Sequence, residues 1–403
     1  MTTAPASLRD DAHAIGFVGV AHGTSHFFQL ALPPLFPLVR TEFGTTYAEL
    51  GVVMAVYFAV SGIMQTAAGF FVDRLGARNV LVFGLAAASA GTMLYAAAPS
   101  YAFLIVAAGI AGLGNSVFHP ADLALLNAKV SPARLGHAFS VHGIGGNIGW
   151  AAAPMFGVAV AAVAGWRGAL VAAGLVGLAF TAVFASQRAL ATRAAHAQHV
   201  AAPRSLAADM RLLASPAIVA GFLFFLLYAM ALIGYQTFST TAMVKIYDVP
   251  LVAATTALTA FLLGGAFGIL AGGFIAARTA RHGAVAAVGL AASAGLSVLL
   301  AAGAVPAALL AGVAGAAGFA LGMIGPSRDI LIRGIAPVES RGKVYGFVYS
   351  GLDLGGLVAP LVFGLAIDRG APTMVFAGAT LLMLLAVPTA LQVSRRPGAA
   401  APV

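Results

Sequence analysis

Residues 79–98 read NVLVFGLAAASAGTMLYAAA, twenty positions without a charge. An α-helix rises about 1.5 Å per residue, so a run of this length crosses the roughly 30 Å hydrocarbon core of a bilayer. Such runs recur along the chain and leave little else. They fall at 15–39, 47–72, 79–98, 101–128, 135–163 and 166–186, and again at 216–244, 250–277, 283–303, 305–332, 340–368 and 372–393. The expectation is an all-α membrane protein with twelve transmembrane helices. Charge supports it: 8% of residues are charged, against roughly 25% in a soluble domain whose surface faces water. The outside of this chain must face lipid.

The net charge of +9 would point to nucleic acid in a soluble protein. In a membrane protein it reads as orientation, because Lys and Arg collect in cytoplasmic loops. With the N-terminus inside, Arg9, Arg74, Arg78, Lys129, Arg134, Arg188, Arg193, Arg204, Arg211, Arg278, Arg281, Arg333, Arg341, Lys343, Arg395 and Arg396 all fall inside. Arg40, Arg167, Lys245 and Arg369 fall outside, and Arg328 lies within a span. Both termini are therefore expected in the cytoplasm, with no nucleic-acid partner. The first fourteen residues are polar and lead into a full-length apolar run, so no cleaved signal is expected. There is no cysteine, which excludes disulfides and thiolate metal sites. The longest polar stretch, SQRALATRAAHAQHVAAPRSLAADMR, separates two sets of six spans. The expected organisation is a tail over 1–14, a six-helix bundle over 15–186, a cytoplasmic linker over 187–215, a second bundle over 216–393 and a tail over 394–403.

The two sets repeat each other. A shift of 206 places Gly109, Gly112 and Pro120 on Gly315, Gly318 and Pro326. It also places Gly136, Gly145, Gly149, Ala153 and Pro154 on Gly342, Gly351, Gly355, Ala359 and Pro360, and Asn147 on Asp353. A run of Gly and Pro in one register over about 45 residues marks two copies of a six-helix unit. Parallel repeats of this kind carry a substrate site near the bilayer midplane and alternate access by rocking.

The loop between the second and third spans reads GFFVDRLGARN, with Gly69, Asp73, Arg74, Gly76 and Arg78. It resembles the signature loop of the major facilitator superfamily. The second-half copy, GGFIAARTARHG, has Ala277 where the aspartate would stand. The stretches GLGNSVFHP and RLGHAFSVHGIGGNIGWAAAP resemble the fosmidomycin-resistance branch of that family, through Phe118, His119, Pro120, Gly145, Gly146, Asn147, Gly149 and Pro154. The chain departs from the branch at Ala121, where the branch has Glu, and Asp122 stands one place on. It also has Ala108 where drug antiporters often carry Arg, so the resemblance implies a transporter more firmly than an antiporter. In the family, Asp73 and Arg78 brace the cytoplasmic gate; a solvated basic turn is the alternative.

Within the spans, polar residues are the site candidates, because an ionisable group in lipid is costly and usually faces an interior pathway. Asn115, His119 and Asp122 are spaced i, i+4, i+7 and share one face of a continuous helix, which Pro120 bends. His22, His26 and Gln29 form a second stripe. The i, i+4 histidines lack the glutamate of the H-E-x-x-H zinc motif, so neither a metalloprotease nor any other metal site is expected. Proton-coupling candidates are His119, Asp122, His22, His26 and Asp353. Cavity candidates are Asn115, Phe118, Gln29, Phe27, Tyr57, Asn147, Tyr228, Tyr235 and Arg328. Asp329 is expected to pair with Arg333 one turn on. The 206 shift sets Asp122 on Arg328, and the pair is expected to latch the two halves when the cytoplasmic side closes.

No nucleotide-binding loop and no nucleophile–base motif is present, so no cofactor and no enzyme activity is expected, and energy must come from an ion gradient. The expected protein is a monomer in a bacterial-type inner membrane. It would exchange a small molecule for protons, most simply as efflux. A proton symporter importing a small organic anion is the alternative, and a non-transporting membrane sensor a remote one.

Overall fold

A computed structural model describes residues 7–191, 206–337 and 340–394; residues 206–208, 341 and 342 are described in backbone only. Arg193, Arg204, Arg395 and Arg396, with residues 192–205 of the expected linker and parts of both expected tails, lie outside the described residues. Every regular element among the described residues is helical. The chain forms two compact units, Met1–Gln198 and His199–Val403.

The first unit holds α1 (Leu8–Gln29), α2 (Phe36–Phe43), α3 (Tyr47–Leu75), α4 (Ala77–Ala96), α5 (Tyr101–Asn115), α6 (Phe118–Lys129) and α7 (Leu135–Ser186). The second holds α8 (Leu206–Leu213), α9 (Pro216–Tyr247), α10 (Leu251–Ala276), α11 (His282–Ala301), α12 (Leu310–Gly322), α13 (Gly325–Ile335), α14 (Arg341–Asp368) and α15 (Met374–Ser394). Ten stretches among the described residues are long and apolar enough to cross a membrane, one of them Pro132–Ser186. The 52 residues of α7 would extend about 78 Å as one straight helix, far beyond a bilayer. The helix instead breaks at Gly165, whose φ of 68° is left-handed and open to glycine. Its two segments are separate passes. With α1, which carries Asp10 and Asp11 in its first turn, the passes number twelve among the described residues.

Local chemistry sets several ends. Thr46 and Glu49 make a reciprocal capping box that starts α3. Gly76, at φ 82°, ends it in the signature loop. Pro120 has no N–H to give Ser116, and α5 gives way to α6 there. Pro326 does the same between α12 and α13.

The repeat is legible in the packing of each unit. A methyl built at Gly112 would lie 3.2 Å from the Tyr57 carbonyl carbon, where α5 crosses α3. At Gly318, its partner in the repeat, a methyl would lie 2.7 Å from the Phe261 carbonyl carbon, where α12 crosses α10. Gly149 meets Gly23 of α1, and Gly355 meets Ala229 of α9. Both members of the second contact stand 206 residues beyond those of the first. The small-residue stripe is therefore a set of close helix crossings, the main way apolar helices gain contact in lipid.

Candidate functional site

The polar residues of the first unit converge at the α1–α7 crossing. Asp122, in the first turns of α6, has no exposed surface. Its Oδ2 lies 3.1 Å from His142 Nε2 and 3.2 Å from His22 Nδ1. His142 makes a hydrogen bond; His22 is as close but is not aligned for one, so its Nδ1 and Asp122 Oδ1 are both buried without a hydrogen-bond partner. The rings of His22 and His142 stack with centroids 3.6 Å apart. His26 lies 4.3 Å from His22 and stacks at 4.1 Å on Trp150, whose indole donates to Gln29 Oε1 at 2.6 Å. His119 stands at the exposed edge, its ring 5.2 Å from His22. One nitrogen from each of His22, His119 and His142 can be chosen so that all lie within 4.8 Å of one another.

His142 is the member that sequence reasoning missed. It lies at i−4 from Gly146 and i−7 from Gly149, so the glycine stripe itself marked the α7 face that meets α1. Of the expected stripe, His119 and Asp122 join the histidine cluster, whereas Asn115 is engaged by α3. Ser116 and Val117 keep right-handed helical angles across the Pro120 bend, and Asn115 donates to Ser61 Oγ at 2.8 Å.

Other candidates disperse. Phe118, 1% exposed, belongs to the apolar core beneath α4 and α6 and lines no opening. Tyr57 is 2% exposed, and Tyr235 stacks on Phe261 at 4.0 Å inside the second unit. Asn147 donates to Gly143 O on its own helix. Phe27 and Phe28 line an apolar groove of about 470 Å³ between α1 and both segments of α7. Val20 and Thr24 of that groove are two positions from His22 and His26, about 200° around the helix. The groove therefore lies on the far side of α1 from the histidines and carries no ionisable group.

In the second unit, Arg328 sits over Phe225 at 4.8 Å and over Tyr228 at 5.3 Å. Its Nε donates to Asp329 Oδ1 at 2.9 Å, and Tyr349 Oη donates to the same oxygen at 3.3 Å. The expected Asp329–Arg333 pair is replaced by this one: Asp329 turns toward its neighbour Arg328 rather than along the helix. Asp122 and Arg328, the expected latch, thus each have partners within their own unit. Asp353 is half-buried on α14 and has no hydrogen bond or ion pair among the described residues. In the signature loop, Gly69 is open, and Asp73 and Arg74 are exposed. Arg78 reaches across to the end of α7, where Nε meets Gln187 O at 3.0 Å and Nη2 meets Ala185 O. It closes carbonyls that the helix end leaves open.

The chain also resembles known proteins. The Major Facilitator Superfamily profile matches residues 18–283 and again 234–402. The uncharacterized MFS-type transporter YfnC of Bacillus subtilis is 29% identical over 153 residues, 38% of this chain and 37% of that protein. The fosmidomycin resistance protein of Escherichia coli is 27% identical over 148 residues, 37% of this chain and 36% of that one. The chain thus spans little more than a third of the length of these relatives. In fold, a bacterial homolog of the human lysosomal transporter Spinster, inward-facing and unoccupied, superimposes with a TM-score of 0.76 at 15% identity over 96% of both chains. With both halves matched by the family profile and the same helical fold, the chain belongs to the Major Facilitator Superfamily and resembles its fosmidomycin-resistance branch.

Proposed function

We propose that the protein is a secondary active transporter that moves a small molecule by alternating access, in the direction of efflux, driven by the proton gradient. One observation carries the reading: Asp122 has no exposed surface and is held among histidines inside an apolar helical unit. Two packed helices need no carboxylate there, and an intramembrane ionisable group is costly unless a transported ion uses it. Efflux is favoured by relatives named for fosmidomycin resistance and for multidrug resistance. On this reading the protein is a monomer of an inner membrane with both termini in the cytoplasm.

Import of a small organic anion is the second reading. Arg328 supports it, because its terminal guanidinium nitrogens carry no hydrogen bond among the described residues. One relative is named a probable sulfoacetate transporter.

Purified protein in liposomes, with phosphonates, organic acids and cationic drugs as candidates, separates the readings. An imposed pH gradient should drive a substrate against its own gradient, and the sign of that gradient gives the direction. Asp122→Asn and His119→Gln should abolish gradient-driven transport while substrate exchange persists. Gradient-driven transport unchanged in both variants removes the cluster from coupling.

A further inference from the structure

We propose that His22, His119, His142 and Asp122 form a binding site for a divalent transition-metal cation, with zinc the natural probe. The inference goes beyond the transport reading and does not rest on it.

Three imidazoles and a carboxylate are a donor set suited to Zn²⁺ and its first-row neighbours. They come from three helices, α1, α6 and α7, and gather within a few ångströms of one another. If the three nitrogens stood at the corners of an equilateral triangle of edge 4.8 Å, the centre would lie about 2.8 Å from each. A Zn–N bond is about 2.0–2.1 Å, so each nitrogen needs to move inward by less than about 1 Å. One ring of the stacked His22–His142 pair must also rotate to bring its lone pair onto the ion. Asp122 Oδ2 is already 3.2 Å from His22 Nδ1 and 3.1 Å from His142 Nε2 and supplies the anionic ligand.

Hydrogen bonding within the cluster is incomplete. One proton between His142 and Asp122 makes one hydrogen bond and leaves His22 Nδ1 and Asp122 Oδ1 buried without partners. A cation needs lone pairs directed at it, not a donor opposite each acceptor, so it satisfies several of these atoms at once. His119 is the exposed member of the set. Behind the ligands, His26 lies tilted against the His22 ring and is itself stacked on Trp150. Such outer contacts set ligand orientation in metal sites.

The test uses the full chain, purified without a polyhistidine tag and stripped of metal, in detergent. Zn²⁺ is titrated by equilibrium dialysis, and Co²⁺ serves as an optical probe of coordination. One Zn²⁺ per chain is expected, competing with Co²⁺ that shows intense tetrahedral absorption. His119→Gln, at the exposed edge where folding is safest, should lower affinity by at least about tenfold. The double change His22→Gln with His142→Gln should remove the site. His137→Gln, an exposed histidine outside the cluster, should bind like the parent. Zn²⁺ should also raise the melting temperature of the parent more than that of His119→Gln at the same concentration, and Mg²⁺ should raise neither. Equal zinc binding by parent, His119→Gln and the double variant overturns the site, as does a parent that binds no zinc or only with octahedral Co²⁺ spectra. Binding at equilibrium requires neither substrate nor gradient, so its failure is distinct from failure of the transport reading.

Discussion

Replacing Gly149 by Ala tests the link between the repeat and the site. A methyl at this position would lie 2.7 Å from the Gly23 carbonyl carbon and closer still to its oxygen. Carbon atoms pack at about 3.5–4.0 Å, so α1 and α7 must part by about 1 Å. Both neighbours are backbone, and no side chain can rotate away. Overpacking of this kind costs about 1–3 kcal/mol. The change also removes a helix-interior glycine, which gains at most about 1 kcal/mol. At Gly149 the clash wins. At Gly143, on the same helix with nothing within 4 Å of a built methyl, only the gain remains.

Gly149→Ala should therefore melt several degrees below the parent, and Gly143→Ala at or above it. Gly355→Ala, the repeat partner, meets the Ala229 side chain at 2.6 Å and should also destabilise. Melting in detergent can be followed by intrinsic fluorescence. Trp150 stacks on His26 at this very crossing, and its emission should shift in Gly149→Ala before unfolding begins. Equal melting of Gly149→Ala and Gly143→Ala, with unshifted emission, would refute the claim that backbone contact at this crossing holds the histidines together.

Three further outcomes follow from contacts outside the spans. Asp11 accepts from the Ser131 hydroxyl at 2.6 Å and from Arg134 at 2.5 Å, and these partners hold its carboxyl below the usual range. A depressed carboxyl contributes stability above its unfolded pKa and loses it as pH falls through the folded value. The melting difference between parent and Asp11→Asn should thus be full near neutrality and shrink on acidification below the ordinary Asp range; a pH-independent difference counts against the pair. Glu42, bonded to Arg167 and Trp166 and depressed in the same direction, should give the same profile in Glu42→Gln. Arg78→Lys keeps the charge but not the fork that reaches two carbonyls, so amide exchange around 185–190 should quicken while Arg74→Lys leaves it unchanged.

The spans and the twofold repeat were legible because both depend on short-range chemistry. Lipid demands apolar runs of fixed length, and close crossings demand glycine, so Gly112, Gly149 and their partners keep register. The site was only half legible. His22, His119 and Asp122 stood out as polar residues in apolar runs, but which helix faces meet is a long-range property. His142 passed unnoticed among glycines. Asn115 was grouped with His119 and Asp122 by spacing, but spacing alone does not show that α3 offers it Ser61 as a partner. Phe118 and Tyr235 failed as cavity residues for a simpler reason: an aromatic ring in a span fills gaps between helices as readily as it lines an opening.

The repeat carries one contact further. His22 and Asp122 touch in the first unit; 206 residues on, Tyr228 and Arg328 touch in the second. The same crossing holds an acid among imidazoles in one half and a base over aromatic rings in the other. Each charge is met locally: Asp122 by His142 and His22, Arg328 by Asp329 and the faces of Phe225 and Tyr228. A latch between Asp122 and Arg328 would have to release both sets. The exchange Asp122→Arg with Arg328→Asp decides between the two arrangements. With local pairing, each introduced charge faces partners of the wrong kind, and the losses of the single changes should add in the double variant. A latch requires the opposite, with the double variant recovering transport that either single change destroys. Local pairing predicts no recovery, measured as gradient-driven transport per folded protein in liposomes; recovery to near the parent rate would mean that the two charges meet across the halves during the cycle.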